Sequence, residues 1–531
     1  MKLYKYLIVV ILIFATFLRL YQLKSYPVSL FADEVDAGYQ ASVLNKCSSD
    51  YFGNKYPFHL HSFADYRAPF YIYSVAIIQK FVPDKELSTR LPAAIFGILT
   101  CWALYLLVKK ISTSEITAQI ALFLSAVSPW LIHYSRSAFE VTGMLFFLIL
   151  GIYYLLEDKY YQSILFLAFS AYFYSTAKLF VVLIVISAII LNFAKYKKIK
   201  LKKIALIALF TLIIGFPYLK DTFQGKAGFR FSYINIFSDP TISTQIDYQR
   251  FTDASVASPG QIGVKTSFES KIFHNKITAI TNKFIENYLS SFGTDFLFVK
   301  GDNNLRHQPG SSYLYPFELF LIIGGLILFR KNKYYNFIVT LLLLAPISFA
   351  LTRDSFGPHG TRLILLIPFF IIFIATAINA LNKKIKIILF FVYLFFVSNF
   401  LHNYFVHYPQ NSARIWHYGI KEALELSYPL ENKYQQISYS NKYEPVLPFF
   451  LFYRNYIPQD CDPASHIKDS VLDNKYYFGA IDFNKPNGLL VLPLSEYKEN
   501  QVKLSNYSVY KTTAKNYTEQ EQFVILEPHE N

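Results

Sequence analysis

Two adjacent carboxylates, Asp33 and Glu34, follow shortly after the first long apolar run of the chain, and Asp36 stands close by. Helical spacing would put Asp33 and Asp36 on one face and aim Glu34 elsewhere. One carboxylate could then accept a proton while its neighbour orients it or binds a cation. The plainer alternative is a solvated helix N-terminus, where the helix dipole favours acids.

Three further polar clusters could join this pair. In Asp65-Tyr66-Arg67, followed by Pro69, Arg67 could grip a phosphate or a carboxylate through two parallel hydrogen bonds, or simply form a surface ion pair beside a helix start. The stretch 128–140 reads as a short loop that brings His133, Arg136 and Glu140 to a membrane surface, although Arg136 and Glu140 could merely pair one helical turn apart. The stretch 352–362 brackets a Gly-Pro turn with Arg353, His359 and Arg362. Three potential cations there suit a phosphate, or else snorkel among lipid headgroups. Lys178, three residues beyond Ser175, is a fourth such cation at the start of an apolar run. No phosphate-binding G-x-x-x-x-G-K-[ST] loop, G-x-S-x-G elbow or H-E-x-x-H pair is present, so ATP-driven transport and serine or zinc hydrolysis lack a handle.

The elements that must carry these residues are membrane spans. The 531 residues are 53% hydrophobic and 18% aromatic, with mean hydropathy +0.28, which is unusual for a soluble protein of this size. Runs long enough to span lie near 4–23, 90–108, 114–132, 141–156, 160–174, 177–194, 204–219, 313–329, 334–351, 362–381 and 386–405. The fifth is short and could be tilted or re-entrant. The first lacks a small-residue cleavage site and reads as a retained helix rather than a signal peptide. The net charge of +15 follows from short Lys/Arg-rich loops at 109–110, 195–203, 330–333 and 383–386, the pattern of cytoplasmic turns rather than of a nucleic-acid surface. Alternation then predicts a cytoplasmic N-terminus, and it places 24–89, 220–312 and 406–531 on the outer side with all four polar clusters. Amphipathic stretches at 33–44 and 69–81 predict two helices lying along the membrane. Residues 406–531 predict a small α/β domain: a helix over 412–426 and strands near 434–440, 476–483, 489–492, 507–511 and 523–526. Cys47, Cys101 and Cys461 have neither metal-ligand spacing nor the look of a disulfide scaffold, and Cys101 reads as a buried hydrophobe.

In order, spacing and sidedness the chain resembles the protein-mannosyltransferase-like membrane glycosyltransferases: glycosyltransferase family 39 and bacterial relatives, including enzymes that add aminoarabinose to lipid A. The resemblance rests on FADEVDAGY at 31–39, DYRAPFYIY at 65–73, RLP at 90–92, SPW at 128–130 with SRSAFE at 135–140, YSTAK at 174–178, and LTRD at 351–354 with Pro358-His359. It covers residues 1–405 and implies a mainly α, polytopic GT-C fold of about eleven transmembrane helices in the plasma (inner) membrane, with an extracytoplasmic C-terminal domain. It also implies an inverting transferase that moves a sugar from a polyprenyl-phosphate donor to a glycan, lipid or protein acceptor on the outer face. In that reading Asp33 is the base, Glu34 orients it or the acceptor, and Glu140 is a second acid that helps bind the acceptor or a cation. Arg353, His359, Arg362, Lys178 and Arg67 hold the donor phosphate, and Asp65, Tyr66 and Arg136 meet the acceptor. Where many relatives carry His in the YSTAK stretch, this chain has Ser175-Thr176. No cofactor is certain; a divalent metal is open, because no ligand set is decisive. The competing readings are a transporter or lipid flippase, disfavoured by the scarcity of charge inside the spans, and a glycan polymerase or ligase of the same fold.

Overall fold

The computed structural model describes residues 2–63, 65–225, 228–261, 265–353, 357–517, 520 and 522–529. Asp354, part of the LTRD match, and the rest of 354–356 lie outside the described residues.

A helix stands over every apolar run. The first part of the chain folds as α1 (Lys2–Leu20), α2 (Ala32–Cys47), α3 (Pro69–Gln79), α4 (Lys85–Ser112), α5 (Glu115–Val127), α6 (Pro129–Ser135), α7 (Val141–Leu156), α8 (Tyr160–Phe173) and α9 (Thr176–Leu191). The starts follow local chemistry. Asp84 caps α4 by accepting from the Leu87 amide, and Ser114 caps α5 through the Thr117 amide. Later runs give helices Leu201–Phe223, Glu318–Phe329, Tyr335–Leu344, Ile367–Ala380 and Lys383–His402. Among the described residues four helices are long and apolar enough to cross a membrane, or five if α5 and α6, bent by 56° at Ser128, count as one. Pro129 explains that break: its ring cannot continue the α5 hydrogen-bond ladder and instead starts α6. The broken run is therefore the third, whereas the fifth, α8, is a plain short helix.

α4 is the hub of the helical core and packs against α1, α2, α3, α5, α6 and α7. The expectation of membrane-lying helices at 33–44 and 69–81 is corrected in part. α2 is buried on most of its surface, because its polar face finds buried partners and its other face is covered by the helix Leu447–Arg454. A Cβ on Gly38 would stand 2.5 Å from Phe452 and from Thr89 Oγ1, so α2 needs glycine at that crossing. α3 is half buried against α2 and α4.

Residues beyond 406 form a seven-stranded mixed sheet. Its strands are β3 (Ile437–Ser440), β4 (Ile467–Lys468), β5 (Val471–Leu472), β6 (Tyr476–Gly479), β7 (Leu489–Pro493), β8 (Tyr507–Thr512) and β9 (Phe523–Pro528), in the order β4-β5-β6-β3-β7-β9-β8. β3 runs parallel to both β6 and β7. β1 (Leu60–His61) and β2 (Tyr66–Arg67) form a separate hairpin beside α2. The helix expected over 412–426 is shorter, Ile420–Ser427, since the chain turns through His417 and Gly419 at positive φ. The expectation about cysteines fails for two of the three: Cys47, at the end of α2, is disulfide-bonded to Cys461. A pairing 414 residues apart leaves no local spacing to read. Cys101 is free and buried.

Candidate functional site

The first turn of α2 sends its three acids to different partners. Asp33 is 54% exposed and meets Arg67 Nη2 at 2.6 Å, and buried Asp36 meets Arg67 Nε at 2.9 Å. Glu34 points the other way, as the helical period requires. It is wholly buried, and Arg90 donates to both its oxygens at 2.9 Å. It also accepts from the amides of Ala138 (2.8 Å) and Phe31 (3.2 Å). Arg90 in turn donates to the carbonyls of Leu23, Pro27 and Ser29. The Glu34–Arg90 pair therefore joins α4, the connection from α1 to α2, and the residues before α7. Glu34 is thus held by Arg90 and two backbone amides and is not among the residues that line the cavity at Asp33.

The β1–β2 hairpin delivers Arg67 to the acids. Besides Asp33 and Asp36, Glu140 lies 3.8 Å from its guanidinium. Burial pulls the Arg67 pKa down, but Asp33, Asp36 and Glu140 more than offset it and hold the group charged. Burial pushes the Asp36 carboxyl up against the pull of Arg67, and Tyr51 and Ser62 donate to its other oxygen at 2.8 and 3.2 Å.

A cavity of about 210 Å³ is lined by Asp33, Arg67, Glu140 and His359 together with Phe31, Phe139, Tyr174, Arg306 and His307. Sequence reasoning missed Arg306, His307 and the nearby Asp302, which lie in the long segment 220–312. The signal was an acid, an arginine and a histidine inside GDNNLRH, 301–307. The Arg306 guanidinium stacks over Phe31 at 4.5 Å and donates to the Ile415 carbonyl at 3.2 Å, while its buried Nε has no hydrogen-bond partner. Burial lowers its pKa and Asp33 and Glu444 resist the shift. The buried His307 Nδ1 is likewise without a hydrogen bond. It lies 3.5 Å from Asp302 Oδ2, which is 3.9 Å from His359 Nδ1. One ligand atom from each of these three residues falls within 4.8 Å of the others. Two imidazoles and a carboxylate suit a zinc-like divalent cation. Asp302 also accepts from the Gly360 amide at 2.7 Å, which fixes it under the cavity.

Other expected residues stand apart from this cavity. Arg136 is buried and donates to the carbonyls of Leu18, Tyr21 and Tyr26; it satisfies the C-terminal end of α1 rather than facing an acceptor. His133 is also buried, and contacts the Arg306 carbonyl at 2.7 Å. Arg353 lines a different groove of about 590 Å³ with Asp239, Lys283 and Glu286. Arg362 donates to Thr352 Oγ1 at 2.8 Å. Lys178 lies 4.6 Å over the Tyr218 ring. Asp65 accepts from Tyr233 at 3.5 Å, and Tyr66 stacks on His61 at 4.6 Å. The four expected clusters thus meet in part: Asp33, Arg67, Glu140 and His359 converge, and the remaining cations do not.

Residues 66–220 match the family model described as dolichyl-phosphate-mannose-protein mannosyltransferase. No curated protein matches the chain in sequence. Among solved structures the chain is similar to ArnT from Cupriavidus metallidurans in the apo state, at TM-score 0.56 and 9% identity, over 99% of this chain and 98% of that one. The same protein bound to undecaprenyl phosphate aligns at TM-score 0.54 and 10% identity, over 99% and 97%. At such identities the likeness is one of fold. The resemblance to GT-C, mannosyltransferase-like membrane proteins stands on it together with the family match.

Proposed function

We propose that this chain is an inverting glycosyltransferase that moves a sugar from a polyprenyl-phosphate donor to a hydroxyl-bearing acceptor on the outer face of the membrane. The observation that carries the reading is one cavity in which an exposed carboxylate, Asp33, stands beside two guanidiniums, Arg67 and Arg306, with Glu140, His307 and His359 around it. Asp33 takes the proton from the acceptor hydroxyl as that oxygen bonds to the anomeric carbon. The bond from the anomeric carbon to the phosphate oxygen breaks, and the electron pair leaves on the lipid phosphate. Arg67 and Arg306 stabilise that charge where it develops. Glu140 is a second acid toward the acceptor. Asp302, His307 and His359 could hold a divalent cation, which would add positive charge beside the leaving phosphate. Arg353, Arg362 and Lys178 are not needed for this reading.

An eleven-span topology with the site outside is supported by the Lys/Arg-rich turns and by the Cys47–Cys461 disulfide, since such bonds persist in oxidising compartments. The undecaprenyl phosphate bound to the structurally similar ArnT is consistent with a lipid-phosphate donor. The test is Asp33→Asn, reconstituted in vesicles and assayed with polyprenyl-phosphate sugars. Transfer should fall by about 10²–10⁴-fold with insertion intact. Near-normal transfer would remove Asp33 from the mechanism.

A further inference from the structure

The stretch between the helix Leu201–Phe223 and the segment around Arg306 includes the helices Thr241–Ala257, Phe268–Phe273 and Lys276–Ser290. Each leaves large apolar side chains uncovered, notably Phe251 (70% exposed), Phe268 (81%), Ile277 (78%) and Leu289 (63%). The last helix is sided. Asn287 is buried and donates to the Thr352 carbonyl at 2.9 Å, while Ile285 and Leu289, two residues to either side, point away from the protein. Water gives no reason for such a face, and a contiguous apolar patch on an otherwise folded element marks something that covers it.

We propose that Lys276–Ser290 docks on the lipid bilayer, as an interfacial helix whose Ile285–Leu289 face lies at the boundary between headgroups and acyl chains. Continuity with the transmembrane surface selects the occupant. The Tyr288 hydroxyl donates to the Leu343 carbonyl at 2.8 Å, near the outer end of the helix Tyr335–Leu344, and the Leu343 side chain is itself exposed. The apolar face of the docking helix therefore extends the lipid-facing surface of that helix sideways. Tyr288 sits at the junction, where amphipathic rings favour the headgroup level. Lys283 and Glu286 pair with each other on the flank, so the attraction is apolar rather than a matter of anionic lipid. The consequence is functional: the loop that carries Arg306 and His307 springs from a segment resting on the membrane from which a lipid-linked donor arrives. The inference rests on reading the apolar run 334–351, of which Tyr335–Leu344 is the first helix, as a membrane crossing.

The test uses the full chain, carrying Cys101→Ala, in phosphatidylethanolamine/phosphatidylglycerol nanodiscs. Nitroxides are placed singly at Ile285→Cys, Leu289→Cys, Leu343→Cys and, as an aqueous control on the C-terminal sheet region, Val502→Cys. Collision with oxygen is compared with collision with a water-soluble nickel chelate. Oxygen should dominate several-fold at 285, 289 and 343, and the nickel chelate at 502. Aqueous behaviour at 285 and 289 with lipid behaviour at 343 overturns the proposal alone. Aqueous behaviour at 343 overturns the spanning reading along with it. Spin–spin broadening at 285 or 289 that disappears on dilution with unlabelled protein would assign the face to a second copy and also overturn it.

Discussion

At the scale of single residues, two neighbouring acids have opposite duties. Asp33 is exposed and shares Arg67 with Asp36 and Glu140, whereas Glu34 is sealed against Arg90. Removing one member of a buried ion pair leaves the other charge unpaired, which costs about 3–5 kcal/mol. Glu34→Ala should therefore lower thermal stability in detergent sharply. Asp33→Asn should leave the unfolding temperature nearly unchanged while transfer is lost. Equal unfolding temperatures for the two variants would refute this division. The histidines make a second prediction. If Asp302, His307 and His359 hold a metal, protein purified without chelator should carry about one equivalent of a divalent ion by mass spectrometry, and His307→Ala should lose most of it. Equal metal content in both proteins would exclude the site.

At the scale of elements, α2 is the piece on which the site depends, and it is held from both sides. α4 grips it through Arg90 and Thr89, and the C-terminal region through four contacts: the Cys47–Cys461 disulfide, the Tyr39 hydroxyl on the Tyr456 carbonyl (2.6 Å), Lys46 on the Ile457 carbonyl (2.9 Å), and Phe452 against Gly38. Overpacking such a crossing costs about 1–3 kcal/mol. Gly38→Val should lower the unfolding temperature, and trimming the neighbour with Phe452→Leu should recover part of the loss; no recovery would mean that the helix crossing is not the cause. The helical period of 33–36 foretold which acids share a face. It could not foretell that the polar face would be buried, because Asp36 is satisfied by Tyr51, Ser62 and Arg67, all supplied from outside the helix.

At the scale of the whole molecule, the C-terminal region helps to hold the wall of the candidate cavity. Its Ile415 carbonyl and His417 hold Arg306, and Glu444 lies 3.4 Å from His417. Burial, reinforced by Arg306 and Arg414, pushes the His417 pKa down to about 3, so the folded protein keeps it neutral. An unfolded histidine takes up a proton near pH 6.5, so the unfolded state binds more protons below that point. The stability this group contributes is complete above pH 6.5 and falls as the pH drops toward 3, by up to about 1.4 kcal/mol per pH unit. His417→Gln should flatten the acid limb of the stability profile measured by thermal unfolding. An unchanged limb would show that other groups set it.

What the sequence determined by itself was everything carried by local periodicity and composition: the positions of the apolar helices, five of the seven strands of the C-terminal sheet, and the facing of Asp33, Glu34 and Asp36. It also marked four of the residues that line the candidate cavity, Asp33, Arg67, Glu140 and His359. Only the tertiary structure decided which distant groups meet them. Arg306 and His307 come from a segment with no strong pattern, and Arg136 and Arg90, charged residues that look functional in a string, turn inward to hold backbone carbonyls and a carboxylate. The physical reason is that a helix or strand reports its own repeat in the order of its residues, whereas an ion pair or a cavity wall depends on chain segments brought together by packing. The disulfide between Cys47 and Cys461 makes the same point in covalent form.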